Sequence, residues 1–128
     1  MQADAVLARN IIAEAFGLVP GNRSRVIAAA FDAVKEIERR LPKQVIQDRG
    51  RVWTERRVRT IVDEEATRVD HYEIMDLKAA AREEARRELE RARQRAARMA
   101  AYLAASDEDF HRDEIERMGA FARGVDLP

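Results

Sequence analysis

Residues 49–77 read RGRVWTERRVRTIVDEEATRVDHYEIMDL. This stretch holds the sole tryptophan, and five arginines fall within its first twelve residues. Val58, Ile61 and Val62 recur at helical spacing. Ahead of them stand Thr54, a good N-cap, and Glu55, which suits the positive end of a helix dipole. The pattern predicts a short helix from Thr54 to about Glu65, with Trp53 packed just before its start. Arg56, Arg59, Thr60 and Asp63 fall on the opposite face. Ala66-Thr67-Arg68-Val69 reads as a polar connector. Asp70 followed by Glu73 has capping-box spacing and predicts the start of another helix.

That second helix is the longest in the chain. No Pro or Gly intervenes between Asp70 and Ala105, so it spans roughly 52 Å at 1.5 Å per residue. Ala85, Leu89, Ala92, Ala96, Met99 and Leu103 recur at spacings of 4, 3, 4, 3 and 4, a heptad seam. Ile74, Leu77 and Ala81 join it through an irregular step. Such a seam pairs two chains or folds back on the helices before it.

Upstream, Val6, Leu7, Ile11, Ile12 and Phe16 predict an amphipathic helix that ends at Gly17. A turn follows at Leu18–Gly21. Asn22 or Ser24 can cap the next helix, whose inward face is Val26, Ile27, Ala30, Phe31, Val34, Ile37 and Leu41. Lys43 to Gln47 reads as one short helical turn with Val45 and Ile46 inward. Downstream, residues 106–124 read as a terminal helix with an acidic start. Its apolar positions are Phe110, Ile115, Met118 and Phe121, and Gly124 is its stop.

The expected fold is therefore all-α. Residues 1–69 form a helical head, 70–105 a long coiled-coil-like helix, and 106–128 a short terminal helix and tail. Composition agrees: charged residues are 38% of the 128, aromatics only 5%, with three prolines and five glycines. That is lean for an all-β core and typical of long exposed helices. Formal net charge is zero, so no global basic field points to nucleic acid. The basic residues are segregated, and lysine occurs only at Lys35, Lys43 and Lys78. Arginine is the better residue for bidentate phosphate contacts, and equally for ion pairs on a helix surface. The chain has no cysteine; this excludes disulfides and thiolate metal sites, and fits a reducing cytoplasm. Neither a signal peptide nor a membrane span is expected.

Three constellations of residues bear on chemistry. Around Trp53, Arg56, Arg59 and Thr60 supply outward donors, while Arg49, Arg51, Arg57 and Arg68 flank them as phosphate contacts. The plainer reading is a solvated face held by pairs such as Arg59 with Asp63. Arg87, Arg91, Arg95 and Arg98 form a stripe opposite the heptad seam; it suits phosphates or an acidic partner, and the plainer reading is a solvated surface neutralised by Glu83, Glu84, Glu88 and Glu90. His71 and His111 have too few converging ligands for a metal site, although His111 has helical spacing to Asp107 and Glu114. No nucleophile–base pair and no phosphate-binding glycine loop is present. Enzymatic activity, a metal, a cofactor and a small-molecule substrate are not expected.

The runs Trp53–Ile61 and Val69–Leu77 resemble the third and fourth helices of a phage-repressor-type helix-turn-helix domain. The whole chain also resembles small proteins of prophages and mobile elements in alphaproteobacteria. The resemblance implies a recognition helix carrying Thr54, Arg56, Arg57, Arg59 and Thr60, with Arg68 in a backbone-contacting loop. Two departures stand out. Glu64-Glu65 replaces the family's loop glycine, and Gln44-Val45-Ile46-Gln47-Asp48 covers only part of its Gln-Ala-x-x-x-Gly signature. The expected function is a small DNA-binding regulator or packaging-type recogniser, self-associating through the seam. The alternative is an adaptor or inhibitor docking through the long charged helix.

Overall fold

The computed structural model describes residues 3–106 and 112–124. Within them the protein is all-helical: α1 (Ala3–Phe16), α2 (Arg23–Arg39), α3 (Lys43–Arg49), α4 (Glu55–Val62), α5 (His71–Ser106) and α6 (Arg112–Ala122). Two compact units divide the chain, one through Ala85 and one from Arg86 onward.

In the first unit α1, α2 and α4 pack against one another. Val26, Ile27, Ala30 and Val34 of α2, Val58, Ile61 and Val62 of α4, and Ile74, Leu77 and Ala80 of α5 share one buried cluster. The inward residues expected for α4 are those found, as are Ile74 and Leu77 of α5, but Ala80 is buried where Ala81 was expected, and Ala81 is half-buried; Trp53 is 3% exposed ahead of α4. Ala66 and Val69 in the connector are buried as well, so that segment is anchored and not merely a polar link.

The face of α1 differs from expectation. Val6 and Leu7 are exposed, and Ala5, Ala8 and Ile12 are the buried residues. The helix presents small side chains toward Ala30 and Ala33 of α2, which lie in the same cluster; close packing selects side-chain size over hydrophobicity. Val45, expected inward, is exposed, and α3 buries no residue. Asn22 occupies the N-cap of α2 without capping it. Its amide instead closes the preceding turn, accepting from Val19 N at 2.8 Å and donating to Gly17 O at 2.9 Å.

Two helix ends fix the chain direction around α4. Thr54 caps it, its Oγ1 accepting from Arg57 N at 3.1 Å. At the other end α4 stops at Val62, three residues before the expected limit. Glu65 N reaches back to Thr60 O at 2.9 Å, and Glu64 adopts φ 62°. This is a Schellman-type stop with a glutamate in the left-handed position usually given to glycine.

In the second unit α5 continues to Ser106. Ala100 is buried; Ala92, Ala96 and Leu103 of the seam are half-buried, as are Ile115, Met118 and Phe121 of α6. Leu89, Met99 and Tyr102 are exposed. Gly124, just past α6, lies against the Arg93 guanidinium, about 3.3 Å from where a Cβ would stand. The Arg93 Nε is buried without an acceptor.

Candidate nucleic-acid interface

The expected site residues converge on the N-terminal end of α4, where they meet three buried carboxylates: Glu38 of α2, and Glu73 and Asp76 of α5. Each carboxylate is fully engaged. Glu38 accepts from Trp53 N at 2.8 Å and from Lys35 Nζ at 2.6 Å, and Lys35 also donates to Trp53 O at 3.1 Å. Asp76 accepts from Trp53 Nε1 at 2.9 Å and takes both ends of the Arg49 fork, at 2.8 and 3.2 Å. Glu73 accepts from Arg57 at 2.7 and 3.0 Å, from Arg51 at 3.1 Å and from Asp70 N at 3.0 Å. That last bond is the capping-box contact foreseen from the Asp70–Glu73 spacing.

The remaining arginines are arranged around this base. The Arg49 guanidinium lies 4.3 Å above the centre of the Tyr72 ring, a cation–π geometry. Arg51 Nε donates to the Tyr72 hydroxyl at 3.0 Å, and Arg51 also pairs with Asp70. Arg57 donates to Arg68 O at 2.6 Å, and Arg68 Nε to Asp70 at 3.1 Å. Arg59 pairs with Glu55 at 3.0 Å, not with Asp63. The Thr60 hydroxyl donates to Arg56 O at 2.9 Å within its own helix. Arg56 is exposed, and among the described residues its guanidinium has no partner.

Depth sorts these residues. Arg49 and Arg57 are largely covered and tie the linker and α4 to α5. Arg51, Arg59 and Arg68 keep 48%, 48% and 81% of their side chains in solvent, while the Glu73 side chain keeps 2%. Four guanidinium groups (Arg49, Arg51, Arg57, Arg68) are thus held by three carboxylates: Glu73 and Asp76 are buried, the Asp70 side chain is 25% exposed, and Arg51 and Arg68 reach furthest into solvent. A cleft of about 270 Å³ opens among Arg51, Thr54, Arg56, Arg57, Thr60 and Tyr72. Partial burial pushes the Asp70 carboxyl up, but Arg51 and Arg68 outweigh it and hold Asp70 below its ordinary value. Hydrogen bonding to the Tyr72 hydroxyl raises Arg51 further, against the effect of burial.

At the opposite end of α4, Arg23 grips Asp63. That hydrogen bond lowers Asp63 and raises Arg23, with burial opposing both. Arg9 Nε donates to Val62 O at 3.1 Å and lies 3.2 Å from Glu64. Arg40, just past α2, pairs with Glu83, which raises its guanidinium.

The sequence reading missed Lys35, Glu38, Tyr72 and Asp76. A signal existed: Glu38 continues the inward ladder Val26, Ala30, Val34, and Glu73 and Asp76 flank Ile74 and Leu77. An acid on an apolar face near a run of arginines marks a buried ion pair.

The heptad residues are only partly available. Ala85, Leu89 and Met99 are exposed, whereas Ala92, Ala96 and Leu103 are half-buried. His71 is exposed, and among the described residues no group of His, Asp or Glu is arranged to hold a metal ion. His111, Asp107 and Phe110 lie outside the described residues. No described helix is long and apolar enough to cross a membrane. No family model matches the chain, and neither a curated protein nor a solved structure does.

Proposed function

We propose that this chain is a non-catalytic DNA-binding protein whose contact surface is the arginine-bearing end of α4, and that copies associate through α5. One observation carries the DNA reading: Glu73 and Asp76, the carboxylates that hold Arg49, Arg51 and Arg57, are buried, whereas Arg51, Arg56 and Arg68 face solvent around them. An arginine has five N–H donors. Arg51 and Arg68 each keep donors free after their intramolecular bonds, held in fixed positions. Phosphate oxygens are the acceptors such a surface fits.

The eight expected contact residues divide on this reading. Arg51, Arg59 and Arg68 take backbone phosphates. Arg56, exposed on the outward side of α4, reaches base edges in a major groove, with Thr60 beside it. Arg49, Arg57 and Thr54 hold the helix in place and touch no DNA. The resemblance to phage-repressor helix-turn-helix domains points the same way, as does its regulator or packaging role.

The test is binding of labelled duplex DNA across a salt series. The three phosphate contacts, from Arg51, Arg59 and Arg68, give a slope of log K against log salt of about −2.7. Replacing Arg56 with alanine flattens preference among duplex sequences, whereas replacing Arg59 weakens binding to all of them about equally. Absence of binding to any duplex at low salt overturns the reading.

A further inference from the structure

We propose that the second unit pairs with a second copy of itself in parallel, in-register fashion, so that two α5–α6 hairpins complete one four-helix core. The proposal rests on the self-association put forward above and not on DNA binding.

The first argument is burial. Two helices enclose no interior, and in this unit Ala100 is the one buried hydrophobic residue among those described. Leu89, Met99 and Tyr102 stand 44%, 49% and 67% exposed. A unit this small with so thin a core ordinarily gains its stability from association. Leu89 and Met99 belong to the heptad seam, whose repeat is that of helices that supercoil around one another.

The second argument is charge, and it selects both partner and direction. On the heptad frame Glu88 and Arg93 flank the seam on opposite sides, five residues apart. In a parallel, in-register pair Glu88 of each copy faces Arg93 of the other, the arrangement by which flanking charges set orientation. This sets a carboxylate of one copy beside the Arg93 guanidinium of the other. Glu88 is free to make the exchange, because its own partner is the exposed Arg91, a pair of little worth in solvent. An antiparallel pair matching the same apolar residues sets Arg93 against Arg93 and Arg95 against Arg95. The stripe Arg87, Arg91 and Arg98 lies on the far side in either case. The acidic first turn of α6, with Asp113 and Glu114, supplies charge opposite to that of the neighbouring α5.

The full chain has no cysteine, which permits a direct test. Leu89→Cys and Met99→Cys are made singly, with Gln94→Cys on the outer face as control, and each is oxidised with diamide. Both residues are exposed in the single chain, and circular dichroism checks that helix content is retained. In a parallel dimer identical seam residues meet, so both variants cross-link to twice the 14.7 kDa chain mass and the control does not. Cross-linking only between a Leu89→Cys chain and a Met99→Cys chain shows an antiparallel pair and overturns the proposal. A monomeric mass for the unmodified chain by light scattering at high micromolar concentration overturns the association itself, whatever the DNA assay gives.

Discussion

Trp53 Nε1 donates to Asp76 Oδ2 at 2.9 Å, and the same carboxylate holds the Arg49 fork. One buried acid thus ties the residue before α4 and the residue ending α3 to α5. The tie is what makes an arginine-rich surface compatible with a packed head. Asp76→Ala leaves the Arg49 guanidinium and the indole N–H without their acceptor, which costs about 3–5 kcal/mol. Chemical denaturation followed by Trp53 fluorescence measures it. In the double-mutant cycle, Arg49→Ala in the Asp76→Ala background costs far less than in the native protein; additive losses would show that the pair does not couple.

The Thr54 hydroxyl satisfies the Arg57 amide at the start of α4. Thr54→Ala lowers stability by about 1 kcal/mol, and Thr54→Ser restores most of it. Equal losses for both substitutions would place the threonine's importance in its methyl group and not in the cap.

Glu64 carries a side chain in a backbone conformation that favours glycine, at φ 62°. Glu64→Gly relieves a left-handed penalty of about 1 kcal/mol and gives up an exposed pair with Arg9 worth less than that. The expected outcome is an unchanged or slightly raised melting temperature. A clear drop would assign Arg9–Glu64 a larger share in closing the end of α4.

Asp63 and Asp70 both lie below the ordinary carboxylate value in the folded chain: Arg23 lowers Asp63, and Arg51 and Arg68 lower Asp70, with burial opposing each. A lowered folded value means the two groups contribute fully above the unfolded value of 3.8. That contribution is lost as pH falls through the lower folded values. Melting temperature is therefore expected to fall steeply below about pH 4, and the Asp63→Asn, Asp70→Asn double variant to fall less steeply. A native profile no steeper than that of the variant would refute the linkage.

Much of this organisation was legible because it is local. The Thr54 cap, the inward Val58, Ile61 and Val62, and the Asp70–Glu73 contact depend on spacings within one helix turn, which periodicity reads directly. The ion-pair base of the site was legible only in part: Glu38 and Asp76 stand on apolar faces, but that they share Trp53 depends on contacts between residues 15 and 23 positions apart, which periodicity does not read. The same limit explains α1: hydrophobicity ranks Val6 and Leu7 above Ala5 and Ala8, whereas the space beside α2 admits the alanines. The number of arginines in the stretch does not by itself separate those that hold the helix from those that face solvent.

That separation gives the sharpest test of the interface. Arg56 and Arg57 are adjacent, yet Arg56 has no partner among the described residues while Arg57 bonds Glu73 and Arg68 O. Arg56→Ala is expected to leave stability within about 0.5 kcal/mol of native, to weaken duplex binding and to relax preference at one base position by about 1–3 kcal/mol. Arg57→Ala is expected to lower stability by about 2 kcal/mol by removing two of the four hydrogen bonds to the buried Glu73 carboxylate, with loss of binding only where the head unfolds. The two measurements, a denaturation midpoint and a salt-titrated affinity, are made on the same samples. If Arg56→Ala changes neither, α4 is a structural helix and the basic surface around it is not a DNA contact.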